Sequence, residues 1–294
     1  MISIIQLGTI DYATGLALQR KLVDLRKANR IADTLLLLEH SPVITLGRNA
    51  KATNILASPD LLAQRGVEVF ESDRGGDVTF HGPGQLVGYP IFDLRQLPSS
   101  DENRKTVGAV EYLRRLEEVI IRTCADFKIP TKRIKGLTGV WTDHPILSSQ
   151  SPTLSSRAQQ DDSETNRPAE SRDLLSDGAS TPEAKIAAFG VHISHAVTSH
   201  GFALNVNTDL SFFSLIIPCG ITSKPVTSME KELGKAVPLQ DAAHSISRHF
   251  GSVFNSQMLW LETLDDLLGH AVGVPLQAPS ELRKLQKEED IYRA

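Results

Sequence analysis

Arg74-Gly75-Gly76-Asp77-Val78-Thr79-Phe80-His81-Gly82-Pro83-Gly84-Gln85 decides how the chain is read. Four glycines, a proline, an arginine and a histidine fall within twelve residues. Such a stretch offers a core little to pack. Its glycines allow φ > 0 or close approach of another molecule, so it reads as a loop shaped around a ligand. Segments with strand character flank it, at residues 67–70 and 87–94.

Further out, the first half alternates strand and helix signals. Residues 4–7 read as a strand and 11–28 as a helix with an apolar stripe at Leu16, Ala17, Leu22, Val23 and Leu25. The continuous apolar run at 34–39 fits a strand buried on both faces, and 42–46 fits another. Residues 58–65 read as a helix with Ser58 as N-cap and Pro59 in the first turn. The strongest helix signal covers 101–127, with Val107, Val110, Leu113, Leu116, Ile120 and Cys124 at helical spacing. Strands are expected at 138–142, 185–193 and 201–206, and helices at 242–255 and 261–268.

Residues 143–183 change character. Ser, Asp, Glu, Gln, Pro and Thr dominate, with no aromatic between Trp141 and Phe189. Such a segment buries too little apolar surface to offset its ordering entropy, so it is expected to be a disordered insertion between adjacent strands. The expected organisation is one domain over 1–255, interrupted by that insertion, with a C-terminal extension over 256–294.

Composition sets outer bounds. The 294 residues are 40% hydrophobic, enough for a substantial core, and the net charge of −4 argues against general nucleic-acid binding. No apolar run approaches the roughly 18 residues of a membrane span. The two cysteines, Cys124 and Cys219, suit free thiols in a reducing compartment. The N-terminus reads as a first strand, with no visible transit peptide.

Several side chains are candidates for chemistry. Cys124 sits within an apolar stripe and reads as core. Cys219 lies in a Pro-Cys-Gly turn, where it can present its sulfur to a cavity; nucleophile, buried thiol and simple turn residue all remain open. Lys185 opens a strand. It reads either as an exposed lysine or as an amine inside a cleft, where desolvation favours the neutral, proton-accepting form. The 74–85 stretch matches neither the phosphate-loop pattern nor the dinucleotide fingerprint. Around His192, His195 and His200 no carboxylate or cysteine falls at a familiar zinc spacing, so neither a metal nor another cofactor is expected.

Five segments in order resemble the lipoyl(octanoyl) transferase family: residues 74–85, Gly139-Val140-Trp141, Lys-Ile-Ala-Ala-Phe-Gly-Val at 185–191, His-Gly-Phe-Ala-Leu-Asn-Val-Asn-x-Asp-Leu at 200–210, and Ile-x-Pro-Cys-Gly at 216–220. The resemblance spans about residues 3–255. It implies an α/β (α+β) fold, a mixed sheet flanked by helices, like the catalytic domain of biotin and lipoate protein ligases. It implies transfer of an octanoyl group from octanoyl-acyl carrier protein to a lysine of lipoyl domains. The acceptors would be lipoyl domains of 2-oxoacid dehydrogenase complexes and the glycine cleavage H protein. By the same resemblance, Cys219 forms the acyl-thioester and Lys185 is its acid/base partner. Arg74, Gly75, Gly76, Asp77, Val78, Thr79, Phe80, His81, Ala188, Phe189, Gly190, His200, Gly201, Phe202 and Ala203 would bind substrate.

Burying acyl methylenes at about 0.8 kcal/mol each favours octanoyl without strictly excluding its neighbours. The family commonly has Ser-Leu-Gly where Ala188-Phe189-Gly190 stands, which leaves the pocket's shape open. The insertion is atypical of the compact bacterial form. It suggests a eukaryotic, fungal source, and hence mitochondria through the pathway, or otherwise the cytoplasm.

Two other functions compete. An ATP-dependent lipoate or biotin ligase of the same fold needs no cysteine, and the Pro-Cys-Gly turn argues against it. A non-catalytic binder of acyl groups or carrier domains is disfavoured by the intact Cys219 and Lys185. The basic residues Lys128, Lys132, Arg133 and Lys135 read as solvated surface or as a docking patch for acidic carrier proteins.

Overall fold

The computed structural model describes residues 1–143, 183–218 and 224–267. The expected disordered insertion, Cys219 and the C-terminal tail beyond 267 lie wholly or almost wholly outside these residues.

A main sheet of eight strands carries the fold. Its strands are β1 (Ile2–Ile10), β2 (Asp33–His40), β6 (Gln85–Ile91), β7 (Thr131–Ile134), β8 (Leu137–Thr142), β9 (Lys185–Ser194), β10 (Val197–Asn205) and β11 (Met258–Leu261), in the order β11-β1-β2-β6-β10-β9-β8-β7. β1 runs parallel to both β11 and β2, and the remaining pairs are antiparallel. A second sheet pairs β3 (Val43–Leu46) with β4 (Glu68–Glu71) and β5 (Val78–His81).

The helices cover both faces of the main sheet. Helix α1 (Tyr12–Lys27) starts where the Asp11 carboxylate accepts the Thr14 N–H at 2.8 Å. Its Leu18 and Leu22 join Leu36, Leu38, Val87 and Tyr89 in one core. On the other face, α3 (Ala109–Asp126) and α5 (Leu239–Phe254) pack on Leu35, Leu37, Leu86 and Leu204. Alternate residues of β2 therefore enter opposite cores, as its unbroken apolar run predicts. A third, smaller core joins Ile44, Val78 and Phe80 to Leu62 of α2 (Pro59–Gln64) and to Phe213. Two further α-helical elements are short: α4 (Met229–Leu233) and residues 264–267.

Several expectations change. The 74–85 stretch is not all loop, because Val78–His81 forms β5, antiparallel to β3. β-branched and aromatic residues there supply strand character that the bracketing glycines mask. Helix α3 begins at Ala109, behind Gly108 as N-cap, and leaves Val110 73% exposed. The stripe it buries is Tyr112, Leu116, Val119, Ile120 and Cys124. Leu261 ends β11, so the chain after 255 begins by extending the main sheet.

The strands expected at 185–193 and 201–206 are two arms of one hairpin. His195 and Ala196 turn it with φ of 51° and 65°, the left-handed pair of a type I′ turn. Of the proposed docking residues, Lys132 pairs with Asp143 and Glu183, and Arg133 with Glu117 and Glu118. Two of those four charges are thus met within the chain.

Where β10 crosses β6, a side chain on Gly201 would run into the Gly88 carbonyl. Gly201→Ala is therefore expected to lower stability by about 1–3 kcal/mol through overpacking, read by urea denaturation. Unchanged stability would contradict so close a strand approach.

Candidate active site

The β9–β10 ladder forms the floor of a cleft. Ala188 pairs with Ala203, and Gly190 with Gly201. Four small residues at paired positions leave a trough where larger side chains would fill the space. The intervening aromatics pack with the α3–α5 core, with Phe189 6.4 Å from Phe202 and Phe202 6.1 Å from Phe250 between ring centroids. The cleft spans about 470 Å³, part of it open to solvent, and is lined by Tyr12, Arg74, Gly76, Asp77, Thr79, His81, Val87, Tyr89 and His200.

Arg74 holds the roof. Its guanidinium donates to the Thr45 carbonyl and the Asp77 carbonyl at 2.6 Å, to the Gly75 carbonyl at 3.0 Å and to the Thr45 hydroxyl at 3.0 Å. Gly75 N–H in turn donates to Val191 of β9 at 3.1 Å. The glycine turn is thus fastened to the small sheet on one side and to the main sheet on the other. Gly75 backs onto β9, and Val78 and Phe80 turn into the small core; alternation along β5 leaves Thr79 and His81 at the cleft.

A second cavity of about 300 Å³ adjoins the first and shares Thr79, Ala188 and Ala203 with it. Lys185, Gln85, Asn205, Phe213, Pro218 and Val226 complete its wall. Lys185 is 7% exposed, with Nζ 4.7 Å from the Trp141 ring centroid. Gly139, at φ 141°, makes room for it, since a Cβ there would lie 3.2 Å from Lys185 Cε. The Lys185 N–H donates to the Pro225 carbonyl at 2.8 Å, and its carbonyl accepts from Thr227 N–H at 2.9 Å. Lys185 is therefore buried at this cavity rather than exposed at a strand start.

Burial holds the histidines at and beside the cleft below their ordinary range. Burial above all, then the charges of His40 and Arg74, pushes His81 down to about 3. Burial pushes His40 down to about 4. His200 is also lowered by burial, although Asp73 accepts from its Nε2 at 2.8 Å. His81 Nδ1 donates to Gln85 Oε1 at 2.7 Å, while Gln85 Nε2 donates to Asn205 Oδ1 at 2.9 Å. That chain assigns the His81 proton to Nδ1 and leaves Nε2 as the acceptor. Cys124 is fully buried, and burial raises its thiol to about 12, in keeping with a core role.

Most of the expected site residues come together here. Twelve line the main cleft, Lys185 lines the adjoining cavity, and Cys219 falls outside the described residues. Tyr12, Val87, Tyr89, Gln85 and Asn205 are additions. Tyr12 opens α1, over sixty residues from the glycine stretch, and no local signal marks it. The tyrosine and glutamine within the apolar run of β6 were the legible hint for Tyr89 and Gln85.

The family described as Lipoyl protein ligase A/B catalytic domain matches residues 11–251. The chain belongs to this family and is an acyltransferase. It is 55% identical to an octanoyltransferase of Koribacter versatilis over 292 residues, 99% of either chain. It is 51% identical to an octanoyltransferase of Acidobacterium capsulatum, covering 91% of this chain and 96% of that one. Among solved structures, a lipoate protein ligase from Thermoplasma acidophilum superposes with a TM-score of 0.60 at 14% identity, covering 99% and 96% of the two chains. A lipoate-protein ligase A bound with ATP gives 0.57 at 14%, covering 99% and 98%. At such identity these establish the mixed-sheet fold.

The relatives correct the expected source and location. They are bacterial, and one aligns with this chain along nearly its whole length. A long polar insertion is therefore no eukaryotic mark. Bacteria have no mitochondria, and the comparison points to a cytoplasmic protein. Among the described residues, no helix is long and apolar enough to cross a membrane.

Buried neutral histidines make stability depend on pH. His40 and His81 titrate near 4 and 3 when folded, against 6.5 for the free side chain. The unfolded chain therefore binds more protons below pH 6.5, and stability present above that value is lost as pH falls towards 4. Denaturant unfolding at pH 5 is expected to give a free energy on the order of 4 kcal/mol lower than at pH 7, about 2 kcal/mol from each histidine. An equal value at both pH values would contradict neutral burial.

Proposed function

We propose that the chain transfers an octanoyl group from octanoyl-acyl carrier protein to a lysine of a lipoyl domain, through a thioester on Cys219. The observation that carries this reading is the adjacency of two cavities: the cleft lined by Tyr89 and His200 shares Thr79, Ala188 and Ala203 with the smaller cavity lined by Lys185 and Pro218. Pro218 directly precedes Cys219 in sequence. The family's description supports a lipoyl-domain acceptor; on this reading the acceptors are the lipoyl domains of 2-oxoacid dehydrogenase complexes and the glycine cleavage H protein.

The chemistry has two balanced steps. Neutral Lys185 takes the proton of the Cys219 thiol. The thiolate attacks the acyl carbonyl, the new Cys219 S–C bond forms, and the carrier S–C bond breaks as Lys185 returns the proton to the carrier thiolate. Exchange of one thioester for another is nearly isoenergetic and needs no ATP. The acceptor amine then attacks the Cys219 thioester. The amide C–N bond forms, the Cys219 S–C bond breaks, and the amine's proton returns to the cysteine through Lys185. The largely apolar floor suits an uncharged acyl chain; Thr79, His81, Ala188, Phe189, Gly190, Gly201, Phe202 and Ala203 would contact it.

The test supplies purified octanoyl-acyl carrier protein and apo lipoyl domain, with no ATP or magnesium. Octanoyl-lysine is expected to accumulate, with Lys185→Ala slowed roughly 100- to 10,000-fold, the usual reach of general acid–base catalysis. Transfer that needs ATP and free octanoic acid would instead identify a ligase. Full activity of Lys185→Ala would remove its acid/base role.

A further inference from the structure

The far end of the cleft is shut by a residue in an unusual conformation. His200 lies inside β10 yet has φ of 55°, a left-handed setting that a bulky L-residue adopts only when its surroundings hold it there. Two contacts hold it. Its backbone N–H donates to Oε1 of Gln19, 1% exposed on α1, at 2.7 Å. Its Nε2 donates to Asp73 Oδ1 at 2.8 Å. The ring is 3% exposed and meets Tyr89 edge-on, 6.3 Å between centroids.

Behind the imidazole lies a different space. A groove of about 710 Å³ opens between α1 and the β9–β10 hairpin, lined by Gln19, Arg20, Lys27, Asp73 and Ser199, and His200 also borders it. His200 is thus a shared wall: apolar cleft on one side, charged groove on the other. Chain-length choice by apolar burial alone is shallow, since each added methylene gains only about fourfold. A rigid stop is a steeper device, because a tail that reaches it must displace a ring tied at both its backbone and its side chain.

We propose that His200, locked by Gln19 and Asp73, is the end wall of the acyl cleft and sets the upper limit of acyl chain length. This rests on the octanoyl-transfer reading and adds the determinant of its specificity. Removing the ring joins the cleft to the groove behind. The joined space accepts a longer tail, although the charged lining of the groove limits the gain. Asp73 and Gln19 act through His200 as positioning residues.

The test compares octanoyl-, decanoyl- and dodecanoyl-acyl carrier protein as donors for wild type and His200→Gly. Glycine adopts positive φ without strain, so the variant loses the ring without keeping the cost of its backbone. The decanoyl-to-octanoyl ratio of kcat/KM is expected to rise about tenfold, and dodecanoyl transfer to become measurable. His200→Asn, also tolerant of this φ, is expected to move the ratio the same way and serves if the glycine variant does not fold. An unchanged ratio in a folded variant, or a wild type that uses all three donors equally, overturns the wall. A wild type that transfers none of them fails the octanoyl-transfer reading instead.

Discussion

The cleft depends on one guanidinium. Arg74 is 7% exposed and converges on the carbonyls of Thr45, Gly75 and Asp77. Without it, those carbonyls would line a buried turn with fewer donors, at about 1–3 kcal/mol for each left unsatisfied. A lysine supplies a point charge rather than a planar fork and could not span the same three carbonyls at once. The small sheet therefore hangs over the main one by a side chain that fixes the roof's height. The glycines beside it matter because the backbone must pass close to β9: a Cβ on Gly190 would sit 2.7 Å from the Gly75 carbonyl.

That constraint divides the labour between the sheets. The small sheet supplies Thr79 and His81, the hairpin supplies the small residues of the floor, and β6 supplies Tyr89 and Gln85. Polar groups at the site are largely paired with each other. The chain from His81 through Gln85 and Asn205 ends on the Thr227 carbonyl, at 2.9 Å, and Thr227 N–H binds the Lys185 carbonyl. The imidazole in the cleft and the backbone that carries the lysine thus belong to one hydrogen-bonded network, which gives their spacing a physical cause.

Much of this was legible in the sequence, for reasons that differ by residue. The apolar run of β2 announced burial on both faces, and Ser58-Pro59 announced a helix start. The glycine-rich stretch announced a ligand loop, but its glycines hid β5, whose strand character rests on four residues. The helix expected over 101–127 began late because polar residues before Gly108 carry no core face, and Val110 followed the helical period while pointing away from the core. The order of motifs pointed to most of the residues that line the cleft, yet Val78 and Phe80 belong to a separate core because alternation along β5 splits neighbours between two faces. Tyr12 and the hold of Gln19 on His200 are tertiary facts, set by where α1 lands on the sheet.

The most direct measurement is the intact mass of the protein after brief exposure to octanoyl-acyl carrier protein without acceptor. One octanoyl increment is expected on the wild type, released by neutral hydroxylamine and absent from Cys219→Ser. An unmodified wild type that still transfers octanoyl, or an increment that persists in Cys219→Ser, would contradict a thioester on that cysteine.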